Sequence, residues 1–256
     1  DLNIKTLLPI QAISIENGLL HEYSDQLIMS PTSSGKTLIG EIAGVSKLLN
    51  NKSKKMIYLV PIVALANIRT EEFMRKYSGL SLKIVKKIGE SLLEPRTLDD
   101  LEDMADADII IATYEALNYI LRSGNKNKIG NVSTIVIDEI QTLIEPERGT
   151  ILDGLISRLK FLFPSAQFLY LSATIGQPEE LSKKLNAKLI QYNNRPVPIE
   201  RHLLLCPNDN IKKRYMAELV QSAFHFKSKY KFKGQSIIFT NSRKKCENLT
   251  QYCQER

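Results

Sequence analysis

Apolar residues fall along the chain in two alternating kinds of block. Short runs rich in branched aliphatic residues, at 26–30, 56–61, 82–88, 108–113, 134–139 and 167–172, predict buried strands. Between them, apolar residues recur every three or four positions. Leu38, Ile39, Ile42, Val45, Leu48 and Leu49 do so first, followed by 64–77, 115–122 and 150–163, and these segments predict helices. Pro61, Pro146, Pro164 and Pro178 punctuate element ends, where proline is tolerated. Strands alternating with helices predict an α/β domain built on a parallel sheet, and we assign residues 1–194 to it. Residues 195–256 supply only strand (199–206), helix (211–230), strand (236–240) and helix (from 243), too few for a second sheet of that kind. We read them as a linker and the start of a second domain. The chain opens on Asp1, not Met, and is expected to be a piece of a longer protein.

Composition narrows the function classes. The chain is 43% hydrophobic and 25% charged, the balance of an ordinary soluble domain. No apolar run approaches the roughly 20 residues of a membrane-spanning helix, and no signal-peptide pattern opens the chain. Cys206, Cys246 and Cys253 form neither a C-x-x-C pair nor a disulfide framework; Cys246 and Cys253, on one helical face, read as packing. His21, His202 and His225 are too scattered to suggest metal ligands. A reduced intracellular compartment and no membrane partner are the expectation.

The net charge of +7 is unevenly placed. Residues 1–200 carry 23 Lys/Arg and 24 Asp/Glu, whereas residues 201–256 carry 12 and 4. The first domain is therefore no basic nucleic-acid platform overall. The excess includes Lys227, Lys229, Lys231, Lys233 and Arg243-Lys244-Lys245, interleaved with Phe224, Phe226, Tyr230 and Phe232. Such a cluster would suit a phosphate backbone; the alternative is a solvated face whose aromatics belong to the core. Acidic residues from Glu90 to Asp108 make an opposite patch, read as a solvated helix.

Two stretches carry chemistry. Ser30-Pro31-Thr32-Ser33-Ser34-Gly35-Lys36-Thr37 ends an apolar run and opens a helix, and it fits G-x-x-x-x-G-K-T except at Ser30. A strand before and a helix after are what a phosphate-binding loop requires. Backbone N–H groups around Gly35 would cradle phosphates at a positive helix terminus, Lys36 would reach the β- and γ-phosphates, and the Thr37 hydroxyl would hold Mg²⁺. The second stretch, Thr134-Ile135-Val136-Ile137-Asp138-Glu139-Ile140-Gln141, delivers two adjacent carboxylates at a strand's carboxyl end, where ligands bind in a parallel α/β sheet. Asp138 is placed to bind Mg²⁺ directly or through water, and Glu139 to polarise the attacking water. Together Lys36, Asp138 and Glu139 read as the core of a nucleoside-triphosphate hydrolase.

In their order along almost the whole chain, these motifs resemble superfamily 2 DExH-box helicases of the superkiller-type branch, which includes RNA-exosome helicases and archaeal DNA-repair helicases. Leu8-Pro9-Ile10-Gln11 is similar to the Q-type motif, which implies that Gln11 reads the adenine edge. Residues 30–37 match motif I, 60–66 motif Ia and Ala112-Thr113-Tyr114-Glu115 motif Ib; Gly89-Glu90 stands where the family has Gly-Asp. Asp138-Glu139-Ile140-Gln141 is motif II, followed by Arg148-Gly149 with Leu152-Asp153. Ser172-Ala173-Thr174 matches motif III, Arg195-Pro196-Val197-Pro198 resembles the interdomain linker, and 237–244 resembles motif IV. Three residues depart from the pattern: Gln141 replaces the usual His, Asp153 replaces Glu and Glu90 replaces Asp. Motifs V and VI have no counterpart.

The resemblance implies a RecA-like parallel sheet flanked by helices, then the start of a second RecA-like domain. It implies an ATP-dependent helicase or translocase with ATP and Mg²⁺ as cofactors. Pro61, Ala64, Gly89, Thr113 and Tyr114 would touch single-stranded or forked DNA, or RNA. Gln141, Ser172 and Thr174 would couple the γ-phosphate site to the strand-binding loops. Contacts to the backbone suit sequence-independent binding and leave DNA or RNA open. Without the motif VI arginine the fragment is expected to be a weak ATPase. Two other readings stand beside this one: a P-loop motor acting on protein, and a nucleotide-binding module that does not hydrolyse.

Overall fold

Seven strands pair side by side, every pairing parallel, in the computed structural model, which describes residues 5–89, 104–122, 129–173, 175–195, 198–225 and 234–254. They are β1 (Gln26–Met29), β2 (Lys55–Val60), β3 (Ile84–Lys87), β4 (Ile109–Thr113), β5 (Val132–Ile137), β6 (Gln167–Ser172) and β7 (Lys188–Gln191). Their order across the sheet is β3-β4-β2-β5-β6-β1-β7. The six predicted strands all form; β7, a short edge strand of mixed polarity, is an addition. The described residues divide into two compact units, Asp1–Pro198 and Ile199–Arg256.

Continuous apolar runs form these strands because both faces of the sheet are covered. Along β5, Ile135 and Ile137 enter one core and Val136 the other. One face is covered by α1 (Pro9–Glu16), α2 (Lys36–Asn50) and α3 (Val63–Tyr77), the other by α4 (Tyr114–Arg122), α5 (Pro146–Leu162) and α6 (Pro178–Leu185). Gly44 lets α2 lie close on the sheet: a Cβ there would stand 2.2 Å from Met56 Sδ. The sequence pattern did not reveal α1 or α6, nor the 3₁₀ helix Ile140–Ile144 that follows β5.

The strand order positions the site. β6 lies between β1 and β5, with Met29 in register with Ser172 and Ile137 with Tyr170. The segments that follow β1, β6 and β5 therefore emerge as neighbours at one edge of the sheet.

The second unit contains two helices among its described residues, α7 (Asp209–His225) and α8 (Arg243–Gln254). The strands expected at 199–206 and 236–240 do not form. Among the described residues of this unit neither segment has a partner strand, so their backbone groups have no ladder there to join. Leu205 is 87% exposed and Phe239 91%. The acidic stretch 90–103 and the basic and aromatic residues at 226–233 lie outside the described residues. Among the described residues no helix is long and apolar enough to cross a membrane.

Candidate active site

After β1 the chain passes through left-handed backbone at Ser33 (φ 64°) and Gly35 (φ 84°) before α2 begins at Lys36. Such a turn gathers successive N–H groups into a concavity at a helix N-terminus, which favours anions. Position 35 requires glycine, since a Cβ would also stand 2.3 Å from Gln11 Nε2. Lys36 folds over the loop, its Nζ donating to the carbonyl oxygens of Ser30 and, at 2.9 Å, Pro31. Burial lowers the Lys36 pKa, opposed by the nearby Glu139 and Asp138 carboxylates. Ser30 Oγ and Ser34 Oγ are buried without a protein partner. Two orphaned hydroxyls in a loop that ends at a helix N-terminus, with a lysine folded over it, fit an acceptor-rich group such as a triphosphate.

Gln11 lies against this loop with its amide engaged. Its Nε2 donates to the Gly35 carbonyl at 3.0 Å, while its Oε1 accepts the Leu8 N–H at 2.9 Å, capping α1. The same glutamine thus fastens α1 to the start of α2.

Asp138 is buried at the end of β5, and every part of its carboxylate is engaged. Oδ2 accepts the Tyr58 hydroxyl at 2.9 Å and lies 3.5 Å from Arg69 Nη2; Oδ1 accepts the Glu139 N–H at 3.1 Å. Burial raises the Asp138 pKa, and the Arg69 guanidinium is the largest opposing influence. Burial, then Asp138 itself, pushes the Tyr58 phenol well up, so it acts as a donor. The Thr37 hydroxyl is a hydrogen-bonding neighbour of the same phenol. The two oxygen donors expected at a metal thus meet around Tyr58. Among the described residues no group of three or more His, Cys, Asp or Glu forms a metal cage. One hydroxyl and one carboxylate fit Mg²⁺, which keeps waters and phosphate oxygens among its ligands.

Glu139 sits in the left-handed region at φ 57°, an uncommon conformation for a side chain of its kind and one found at functional turns. Gln141 Nε2 donates to Glu139 Oε2, and Gln141 Oε1 accepts the Ser172 hydroxyl at 2.8 Å. The Ser172 carbonyl in turn accepts the Ser30 N–H at 3.2 Å. Ser30, Ser172, Gln141 and Glu139 thus form one continuous hydrogen-bonded chain from the loop after β1 to the Glu139 carboxylate. Both the amide nitrogen and the amide oxygen of this glutamine are engaged. Thr174 lies outside the described residues.

The expected strand contacts divide. Ala64 and Gly89 are exposed. Pro61 is buried. Thr113 is buried too, with its hydroxyl accepting the Ala116 N–H at 3.3 Å at the start of α4. Tyr114 is 0% exposed, and its hydroxyl donates to the Asp138 carbonyl. Tyr114 is therefore corrected from strand contact to scaffold: its ring belongs to the core and its hydroxyl braces the Asp138 backbone. Arg148 binds these loops together, pairing with Glu115 at 3.1 Å and donating to the Pro61 carbonyl.

Sequence reading missed Tyr58 and Arg69. A signal existed for the first: Tyr58 carries a hydroxyl in the middle of the run 56–60, whose other residues are apolar, and a buried hydroxyl needs a partner. Arg69 stands on a helix among other charged residues, and nothing in its spacing singles it out.

The DEAD/DEAH box helicase model matches residues 8–181. A probable ATP-dependent helicase of Methanocaldococcus jannaschii is 48% identical over 246 residues, covering 96% of this chain and 30% of that protein. The ATP-dependent DNA helicase Hel308 of Methanococcus vannielii is 36% identical over 273 residues, covering 98% and 35%. The chain thus spans about a third of the length of these relatives. Among solved structures, the Mycobacterium smegmatis helicase Lhr bound to ssDNA and AMP-PNP matches with a TM-score of 0.68 at 24% identity, over 98% of this chain and 34% of that one. The helicase MrfA bound to DNA matches with a TM-score of 0.72 at 21% identity, over 99% and 37%. At such identities the two structures report a shared fold.

Proposed function

We propose, for a chain that belongs to the DEAD/DEAH box helicase family, that it supplies the ATP-binding and hydrolysing core of a motor that moves on single-stranded nucleic acid. The observation that carries this reading is the bonded chain from Ser30 through Ser172 and Gln141 to Glu139, which ties a phosphate loop to a catalytic carboxylate across three adjacent strands. Lys36 exchanges the Ser30 and Pro31 carbonyls for the β- and γ-phosphate oxygens and stabilises their charge. Thr37 and Asp138 would hold Mg²⁺, which when bound would neutralise charge on the phosphoryl oxygens. Glu139, its carboxylate held by Gln141, orients the attacking water and takes its proton. Ser172 relays the state of that site to Ser30.

A strand would cross the exposed first turn of α3 at Ala64 and the exposed segment at Gly89, whose backbone suits phosphate contacts without base readout. Single-stranded DNA is the proposed substrate because the named Hel308 relative is a DNA helicase; forked DNA and RNA are secondary. The anisotropy of a labelled oligonucleotide, titrated with the protein at fixed ATP and Mg²⁺, tests the reading. Binding whose affinity changes with nucleotide is expected. No binding to DNA or RNA, or binding indifferent to nucleotide, would contradict it.

A further inference from the structure

The carboxylate assigned to the metal already carries a cation of the protein's own. Asp138 Oδ2 lies 3.5 Å from Arg69 Nη2, and the same oxygen accepts Tyr58 at 2.9 Å. Arg69 is shared: its Nη1 pairs with Glu72 Oε2 at 2.7 Å one turn along α3, and its Nε is buried without a partner. The guanidinium is therefore held between two carboxylates, one on its own helix and one at the end of β5, and is under-bonded at its third nitrogen.

We infer that Arg69 is a built-in stand-in for the metal: it pairs with Asp138 while the site is metal-free and competes with Mg²⁺ for that carboxylate. A buried carboxylate without a positive partner is costly, and Arg69 removes that cost in the metal-free protein. A divalent cation brought to the same carboxylate meets the guanidinium's like charge in a poorly screened setting, so the arginine must yield. Glu72 gives it somewhere to go, at the shorter of its two distances. Tyr58 is neutral and keeps Asp138 seated while the charges exchange. Arg69 acts through Asp138 and is a positioning residue; because it stands on α3, whose first turn holds the exposed Ala64, the exchange also carries the metal's arrival to the strand side.

This inference rests on the nucleotide-site reading, and its test separates the two. Mn²⁺ binding in the presence of ADP is measured by electron paramagnetic resonance on the whole chain, with no turnover involved, for wild type, R69Q, R69K, E72Q and the control K36A. R69Q removes the competitor and should bind Mn²⁺ about tenfold more tightly, equal in size and opposite in sign to the smallest losses that follow when supporting partners of metal ligands are removed. R69K, which keeps the charge, should stay near wild type. E72Q leaves the arginine to Asp138 alone and should bind Mn²⁺ several-fold more weakly; Glu72 is half-buried and its replacement by glutamine is isosteric, so that variant is expected to fold even if R69Q does not. Opposite shifts in R69Q and E72Q support competition, because damage to structure alone would weaken both. Equal affinities in wild type, R69Q and E72Q, or weaker binding by R69Q, overturn it while leaving the nucleotide site intact. Failure of wild type to bind ADP and Mn²⁺, or unchanged binding by K36A, overturns both.

Discussion

Ser172 Oγ donates to Gln141 Oε1 at 2.8 Å, and through that bond the carboxyl ends of β6 and β5 share one hydrogen-bonded chain. The Gln141 amide nitrogen is committed to Glu139, so the serine holds the glutamine that holds the carboxylate. Gln141→Ala should lower hydrolysis in the full-length protein by about tenfold through loss of one to two kcal/mol of positioning. Ser172→Ala should act in the same direction. Because both residues serve one chain, the double variant should be little worse than the worse single one. Steady-state rates for the three variants check this; strictly additive losses would separate the two residues.

Lys36→Ala should abolish tight nucleotide binding or turnover without unfolding the protein, since Lys36 bonds only to loop carbonyls. Loss of about 3 kcal/mol of stabilisation corresponds to roughly a hundredfold in rate. Isothermal titration with ATP, beside a thermal melt, measures both halves of the expectation.

Glu139→Gln should keep ATP and Mg²⁺ bound, because Thr37 and Asp138 are untouched, yet stall hydrolysis for want of the base. Rapid filtration of bound radiolabelled ATP should find it retained as triphosphate. Recovery of ADP at the wild-type rate would remove Glu139 from the chemistry.

Tyr114→Phe should destabilise the protein by about 1–3 kcal/mol, because the Asp138 carbonyl loses its buried donor. Oligonucleotide affinity, normalised to folded protein, should not change. A specific loss of strand affinity with unaltered stability would restore Tyr114 to the strand surface.

Lys47 makes stability depend on pH. Its ammonium is buried against the Ser133 carbonyl (3.1 Å) and Gln167 Oε1 (2.8 Å). Burial first, then Lys54, lowers its pKa from 10.5 to about 8. The unfolded chain therefore binds more protons at this site between pH 8 and 10.5, and stability should rise with pH across that window. Denaturant midpoints at pH 7.5 and 9.5 check the sign; Lys47→Met should flatten the rise.

The phosphate loop and paired carboxylates were legible in the sequence because each needs a local grammar of strand, turn and helix. The six strands were legible for a related reason: a sheet covered on both faces demands uninterrupted apolar runs. Two things were not legible. Tyr114 reads as an exposed motif residue, yet its ring completes the core under β5, a burial set by tertiary packing. The segments 199–206 and 236–240 have strand composition, but strand formation depends on a neighbour that composition does not specify. Arg69 escaped for the same reason, since its partner Asp138 is far away in sequence and near only through the β2–β5 pairing.

The central claim is that one site couples nucleotide hydrolysis to a nucleic-acid strand. Steady-state ATP hydrolysis by the full-length protein, measured as single-stranded DNA or matched RNA is added, tests it most directly. The account predicts stimulation by the strand, greater for DNA, that disappears in Glu139→Gln. Hydrolysis unchanged by either nucleic acid, or stimulation that survives in Glu139→Gln, would contradict it.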